Sequence, residues 1–332
     1  MSTYPIHQMR NVSIIILLVA GTLALFSGCS QTNTDYTQQD FGNLVWKPDG
    51  SGMYGLFEKQ LITVATDAYI IGVFDQTGAL TGTVTTSDKA INPDFFLDPS
   101  ATHAVVQLGA NLYRVDLPSG NQTLITTKVR LFVASPDLHY AIVTPSPDGL
   151  PVRTISVLDL WSATPREVKK WDVAGVSDNS GIWMKNGTFG LTVNNGALQV
   201  NVFDTLGRLV DSVLNAEQVF HNGNYLAATD DFYFRTGASG IDRFNFTTRA
   251  RDHVFTGEAA DNFDVSADGR ILAVKTPSGI SVLNTKTLAK SFVTNDAIYW
   301  GVFLAPAGDK LAYIHQQSST IRDVHVLNFT SP

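Results

Sequence analysis

Four aspartates hold similar places in the sequence, each in a short polar stretch close to an apolar segment. Carboxylate oxygens are the ligands that Ca²⁺ prefers, so four such groups brought together could hold a calcium ion. The alternative is structural, because Asp side chains also accept hydrogen bonds from nearby backbone N–H groups in turns. Both interpretations stay open, and no other cofactor is predicted. The four residues are Asp94 in INPDFF, Asp178 in SDNSG, Asp261 in ADNFD and Asp296 in TNDAIYW.

The histidines have no spacing that indicates a metal site. No two of them form an H-x-H or H-x-x-x-H pattern, the spacings that place two imidazoles on one face of a strand or helix. A fold that joins distant strands around an axis could still bring such residues together. The histidines in question are His103, His139, His221, His253, His315 and His325.

Two further motifs resemble cofactor or catalytic signatures without the context that these require. GSGMYG, at residues 50–55, matches G-x-G-x-x-G. A dinucleotide site needs that pattern to open a helix, whereas MYGLFE alternates as a strand does. GVSDN, at residues 175–179, lacks the second glycine of a G-x-S-x-G nucleophile turn, so Ser177 is predicted to lie in an ordinary turn. The sequence therefore assigns no catalytic residue.

The single cysteine, Cys29, ends an N-terminal segment typical of a signal peptide. Residues 12–26, VSIIILLVAGTLALF, are almost free of polar groups but fall short of the ~20 residues of a membrane-spanning helix. Ser27 and Gly28 lead directly to Cys29. This order resembles the lipobox of bacterial lipoproteins, in which the cysteine is acylated and becomes the new N-terminus. The resemblance implies lipid attachment at Cys29, with chains such as palmitate that each add ~0.8 kcal/mol per buried CH₂.

The lipoprotein resemblance divides the chain into three parts. Residues 1–28 are the signal peptide, residues 29–40 the lipidated cysteine with a flexible polar tether, and residues 41–332 the folded domain. The protein is then exported and held on a lipid bilayer through acylated Cys29. Ser30 rather than Asp follows the cysteine. In a Gram-negative host the family's sorting rule implies the outer membrane, and otherwise the outer face of the plasma membrane.

Seven copies of one pattern fill residues 41–332: an apolar pair, a turn cluster and then alternating apolar residues, as in FDVSADGRILAVK at residues 263–275. The copies recur about every 43 residues, and further strand patterns follow each one. A repeat of ~40–45 residues that carries four short antiparallel strands is a β-propeller blade. The sequence therefore predicts an all-β fold, a seven-bladed propeller of four-stranded antiparallel blades.

The SPDG-like turns of these copies resemble the repeats of TolB-type propellers, which are relatives of WD40 repeats. Asp49, Asp137 and Asp268 occupy the Asp position of that turn. The resemblance covers residues 41–332 and implies the fold alone, because the separate N-terminal domain of that family is missing. The last copy ends at VHVLNFTSP without a fourth strand pattern. The sequence therefore predicts that residues 33–41 supply the outer strand of the last blade, since this would cover its edge.

The charge and the lack of motifs limit the function. A formal net charge of −7 without a basic stripe argues against nucleic-acid binding. Two functions stay open. The first, which the absence of a catalytic motif favours, is a monomeric, membrane-anchored scaffold that binds a protein or peptide of the cell envelope. The second is a hydrolase or lyase whose residues converge at the mouth of the central channel, which a cluster of histidines and carboxylates there would favour.

Overall fold

The computed structural model describes residues 36–61, 67–87, 91–144, 151–162, 165–217, 224–237, 240–296 and 298–332. These residues form seven antiparallel sheets, six with four strands and one with three. The predicted all-β, seven-bladed propeller is therefore confirmed. Helical structure in the described residues is limited to a 3₁₀ turn at Lys185–Gly187, and none of their helices could cross a membrane. Cys29 and the apolar residues 12–26 lie outside the described residues.

Each blade is a run of consecutive strands, and its first strand lies nearest the axis, because the first strands of neighbouring blades contact one another. Blades one to four consist of β1 (Tyr36–Trp46), β2 (Gly52–Leu61), β3 (Asp67–Asp75) and β4 (Leu80–Ser87); β5 (Ile91–Leu97), β6 (His103–Leu108), β7 (Asn111–Asp116) and β8 (Gln122–Thr127); β9 (Leu131–Ala134), β10 (Tyr140–Thr144), β11 (Val152–Asp159) and β12 (Arg166–Ala174); and β13 (Val176–Trp183), β14 (Thr188–Asn194), β15 (Leu198–Asp204) and β16 (Leu209–Leu214). Blades five to seven consist of β17 (Tyr225–Leu226), β18 (Asp231–Arg235), β19 (Gly240–Asn245) and β20 (Arg251–Thr256); β21 (Asn262–Val265), β22 (Ile271–Thr276), β23 (Gly279–Asn284) and β24 (Lys290–Thr294); and β25 (Ile298–Leu304), β26 (Lys310–Gln316) and β27 (Arg322–Asn328).

The propeller has two faces with different loops. The upper face carries the loops that lead into the first strands and those that join second to third strands, because consecutive antiparallel strands alternate in direction. The lower face carries the SPDG-like turns. There Asp49, Asp137 and Asp268 accept a hydrogen bond from the backbone N–H two residues on, at 2.9, 2.9 and 3.0 Å. This shared bond explains why Asp recurs at the turn.

Blades one and seven close the ring through packed side chains of their inner strands. Phe41 and Trp46 of β1 pack in one buried cluster with Phe303 of β25. Residues 36–41 belong to β1 and pair with β2, with Tyr36 opposite Leu61. The prediction that residues 33–41 form the outer strand of the last blade is therefore wrong for the described residues 36–41. The reason is that β2 is ten residues long and offers partners to the whole of β1.

Two sequence motifs have a simple structural role. Gly50 lies in the turn before β2, and Gly52 and Gly55 lie on β2 itself, so GSGMYG enters a strand and not a helix. Ser177 lies on β13 and not in a turn, because β13 begins at Val176 directly after the left-handed residue Gly175.

Candidate functional site

The upper part of blade seven brings two histidines, two aspartates and a tyrosine together. Asp296 lies in the loop before β25, and Tyr313 and His315 lie on β26. Asp323 and His325 lie on β27, where the register places Asp323 opposite His315 and His325 opposite Tyr313. Strand pairing therefore sets four of the five positions, and the loop before β25 supplies the fifth residue, Asp296.

The two imidazoles are stacked between the two carboxylates. The ring centroids of His315 and His325 are 4.1 Å apart, with 14° between their planes. For His315, Nδ1 lies 2.8 Å from Asp323 Oδ1 and Nε2 lies 3.5 Å from Asp296 Oδ1. For His325, Nδ1 lies 3.3 Å from Asp296 Oδ2 and Nε2 lies 3.5 Å from Asp323 Oδ2. Each ring therefore has a carboxylate oxygen near both of its nitrogens.

Tyr313 anchors this cluster from the interior of the blade. Its hydroxyl donates a hydrogen bond to Asp296 Oδ2 at 2.9 Å and lies 3.3 Å from His325 Nδ1. Burial, together with the hydrogen bond to Asp296, raises the pKa of the Tyr313 phenol well above its usual value. The phenol therefore keeps its proton and stays a donor to the carboxylate.

The donor atoms of the cluster have the composition of a transition-metal site. Asp296, His315 and His325 each offer one ligand atom, and these atoms lie within 4.8 Å of one another. Two imidazole nitrogens with a carboxylate oxygen suit ions such as Zn²⁺, whereas Ca²⁺ takes six to eight oxygen ligands. His315 is 17% exposed and His325 37%, so a ligand can reach the group from solvent.

The four sequence-predicted aspartates have different surroundings. Asp296 belongs to the histidine cluster, whereas Asp261 forms an ion pair with Lys275 at 3.0 Å in blade six. Asp94 lies on β5 and Asp178 on β13, but their side chains fall outside the described part of the chain. The structure thus joins one predicted residue to two histidines that spacing rules had not linked.

The innermost strand of blade seven is irregular next to this cluster. Its pairing with β26 shifts register on both sides of Trp300, and Gly301 has a left-handed φ of 77°. An added Cβ on Gly301 would lie 2.4 Å from Phe303 Cε2. This β-bulge lies five residues after Asp296, and such bulges are frequent next to functional sites because they redirect side chains.

A second feature of blade seven is the outer edge of β27, which has no fourth strand among the described residues. At Val324 the edge is covered by blade one. Gly78 of that blade lies so close to the Val324 carbonyl oxygen that a Cβ added to the glycine would be 2.5 Å from it. At the end of β27 a cleft lies between blade six and Asn328 with the two residues that follow it. Phe292, on its wall, is 60% exposed. The cleft is lined by Val282, Ser291, Phe292, Val293, Asn328, Phe329 and Thr330.

Comparison with known proteins identifies the fold and no family. No known sequence family matches the chain, and no curated protein sequence does. An oligogalacturonate lyase in complex with manganese is 12% identical with a TM-score of 0.67, over 88% of this chain and 90% of that one. The oligogalacturonate lyase of Vibrio parahaemolyticus is 13% identical with a TM-score of 0.65, over 89% and 91%. The C-terminal WD40 domain of Sif2 is 15% identical with a TM-score of 0.57, over 88% and 97%. The chain is a seven-bladed, WD40-like β-propeller.

Proposed function

We propose that this protein is an exported, lipid-anchored scaffold that binds an extended segment of an envelope protein at the outer edge of blade seven. One observation carries the proposal: the described part of blade seven ends at β27, beside an apolar cleft, where the other six blades have a fourth strand. Added strands gain affinity from main-chain hydrogen bonds and specificity from alternate side chains. The sequence pattern that ends at Cys29 supports the membrane anchor.

The other blades show what a fourth strand contacts. Arg251 of β20 donates to the Leu214 carbonyl of β16 at 3.0 Å, and Gln122 of β8 donates to Thr85 of β4 at 2.9 Å. In both pairs the outer strand therefore lies beside the outer strand of the preceding blade. For blade seven the preceding outer strand is β24, which carries Phe292 into the cleft. The cleft lies between β24 and the end of β27, which by analogy with these two pairs supports the packing of an added strand there.

The fourth strands also indicate the chemistry of the segment that would bind. β12, β16 and β20 each bury a valine, Val173, Val213 and Val254, while most of their other side chains are exposed. A partner segment would then be extended and about five residues long, with a β-branched or aromatic residue facing Phe292 and Phe329. Such segments use exposed apolar groups next to a strand edge, and β27 has no further strand beside it among the residues that the structure describes.

The test places a photo-crosslinking amino acid at Phe292 in the full-length protein, expressed in its own cells. We expect this residue to capture one short segment of a single envelope protein. A synthetic peptide with that sequence should compete with the crosslink. The matched control carries the same amino acid at Leu124, a 48% exposed residue of outer strand β8 in blade two.

Two results would contradict the scaffold function. One is that positions 292 and 124 crosslink to the same proteins, which would indicate nonspecific surface contact. The other is a crosslink from position 292 to residues 30–35 of the same chain, which would show that the protein fills the cleft itself.

A second candidate function, a hydrolase or lyase, is favoured by the cluster of Asp296, His315, Asp323 and His325. The similarity in fold to oligogalacturonate lyases, one of them in complex with manganese, supports acidic oligosaccharides as the first substrates to test. Oligogalacturonates incubated with the protein and Mn²⁺ should give unsaturated products, detected by ultraviolet absorbance and mass spectrometry. His315→Ala should abolish them. Absence of product from the wild-type protein would count against this candidate.

A further inference from the structure

We propose that Asp296, His315 and His325 form a binding site for one divalent transition-metal ion of the Zn²⁺ class, with Asp323 and Tyr313 positioning the ligands. The site stands independently of peptide binding at the edge of β27. It also goes beyond the second candidate function, because the ion can bind without any reaction taking place.

The donor set of the cluster is the first argument. Carboxylate oxygens of Asp296 and Asp323 lie near the four nitrogens of His315 and His325, at 2.8, 3.3, 3.5 and 3.5 Å. A divalent cation bound among these groups would be attracted by both carboxylates and coordinated by imidazole nitrogens.

Two distances in the cluster are close to those between the ligand atoms of a metal site, and the three ligand atoms lie within 4.8 Å of one another. In a tetrahedral zinc site with bonds of about 2.0–2.1 Å, two ligand atoms lie about 3.3–3.4 Å apart. Asp296 Oδ1 lies 3.5 Å from His315 Nε2, and Asp296 Oδ2 lies 3.3 Å from His325 Nδ1, so one oxygen near each ring nitrogen is available to the ion. Three protein ligands of this kind leave at least one position for water or a bound molecule.

Hydrogen bonds from residues next to the proposed ligands orient the ligands. Asp323 Oδ1 accepts from His315 Nδ1 at 2.8 Å, which leaves Nε2 of that ring with its lone pair toward Asp296. Asp323 Oδ2 faces His325 Nε2, so the lone pair of this second ring lies on Nδ1. Tyr313 donates a hydrogen bond to Asp296 Oδ2, the oxygen that lies near His325. Metal-ligating histidines almost always donate their other ring N–H to a carboxylate, a backbone carbonyl or a water molecule, and Asp323 supplies the carboxylate here.

Another histidine–carboxylate pair in the protein provides the comparison. His253 Nδ1 lies 2.6 Å from Asp242, a fully buried residue, but Arg251 Nε is also 2.6 Å from that carboxylate. Thr236 donates to it as well. Because the arginine already supplies a positive charge, this pair has no requirement for a metal ion. His253 therefore serves as the matched control.

The experiment measures Zn²⁺ binding to the full chain purified without a polyhistidine tag, by equilibrium dialysis with elemental analysis. We expect one tightly bound Zn²⁺ per chain, and Co²⁺ in its place should give the visible absorption of a nitrogen- and oxygen-ligated ion. His315→Ala and His325→Ala should each weaken binding by about 100-fold or more. Asp323→Asn should weaken it by about 10- to 100-fold with the stoichiometry unchanged.

His253→Ala should bind Zn²⁺ with the same affinity as the wild-type protein. Near-ultraviolet circular dichroism checks that each variant is folded, and the two histidine variants, on different strands, give independent tests. In the wild-type protein Zn²⁺ should also raise the midpoint of thermal unfolding, since it binds the folded state. Less than stoichiometric binding, or binding that survives both His315→Ala and His325→Ala, would overturn the proposal.

Discussion

The indole Nε1 of Trp46 donates a hydrogen bond to the main-chain carbonyl of Phe303 at 2.9 Å, which joins the innermost strands of blades one and seven. Trp183 makes the corresponding bond to Val133, between blades four and three, at 2.8 Å. Both indoles are buried. In the described residues, blades one and seven are therefore joined by the same kind of hydrogen bond as blades three and four, together with the apolar packing around it.

Replacement of Trp46 by Phe tests this closure. The variant keeps most of the apolar contact but leaves the Phe303 carbonyl without the indole donor. We expect the free energy of unfolding to fall by about 0.5–1.5 kcal/mol, the net contribution of one hydrogen bond. Urea denaturation measures this change.

Trp161→Phe is the control, because Trp161 is 66% exposed. Its effect should stay within about 0.5 kcal/mol. Equal midpoints for Trp46→Phe and the wild-type protein would show that the hydrogen bond does not contribute to closure.

A buried carboxyl joins blades six and seven near the axis. Asp264 of β21 accepts a hydrogen bond from Leu304 N of β25 at 2.7 Å and another from Val265 N at 2.8 Å. Burial raises the pKa of this carboxyl from 3.8 to about 8, although the two N–H donors oppose the shift. The folded state therefore binds a proton that the unfolded state releases.

This shift predicts a pH dependence of stability. Because the folded-state pKa is the higher one, the stabilising contribution of Asp264 is complete below about pH 4. It declines as the pH rises, and it is lost above a pH of about 8. We expect Asp264→Asn to remove this component, so the stability difference between wild type and variant should change steadily from pH 4 to pH 8.

Urea denaturation at a series of pH values measures the effect of Asp264→Asn. Asp309→Asn is the control, since Asp309 is exposed and lies in a lower-face turn. A difference between wild type and Asp264→Asn that is constant over this pH range would show that Asp264 titrates as an ordinary carboxyl.

Much of the fold could be predicted from the sequence because its determinants are local. Period-2 alternation identifies strands, and Asp49, Asp137 and Asp268 mark the same turn through the same short-range hydrogen bond. The closure could not be predicted in this way. It depends on whether residues 36–41 pair with β2 or with β27, and the alternating pattern does not distinguish between two possible partners.

The histidine cluster shows the same limit. Asp296 was a candidate from its place before a strand, but the rules for metal spacing examine one strand or helix at a time. His315 and His325 lie on two strands, and only the register of β26 with β27 brings them together. A signal was present, because a hairpin that pairs His315 with Asp323 also places His325 on the same face as Asp323. Detecting this signal requires the register between β26 and β27, and the spacing of the residues along the chain is not sufficient.

The proposed lipid anchor predicts a specific loss in Cys29→Ala. Cells fed an alkyne analogue of palmitate should label the wild-type protein, which should sediment with membranes. The variant has no thiol, as Cys29 is the single cysteine of the chain. It should be unlabelled and fail to sediment in high salt, because the anchor is hydrophobic. Cys29→Ser serves as a second thiol-free form. Labelling that persists in both would place the acyl chains elsewhere.

Gly301 gives a final prediction, which separates backbone strain from steric contact at the bulge in β25. Gly301→Ala must hold a side chain at a φ of 77° and place Cβ 2.4 Å from Phe303 Cε2. Gly50→Ala has a similar φ of 69° but no atom within 4 Å of the added Cβ. We expect Gly50→Ala to lower the free energy of unfolding by about 1 kcal/mol from strain alone. Gly301→Ala should lower it by a further 1–3 kcal/mol or so, because the Phe303 ring must move within a packed core. Thermal unfolding of the two variants measures both quantities. Equal effects would show that the Phe303 ring shifts freely, and that the bulge is not held by the core behind it.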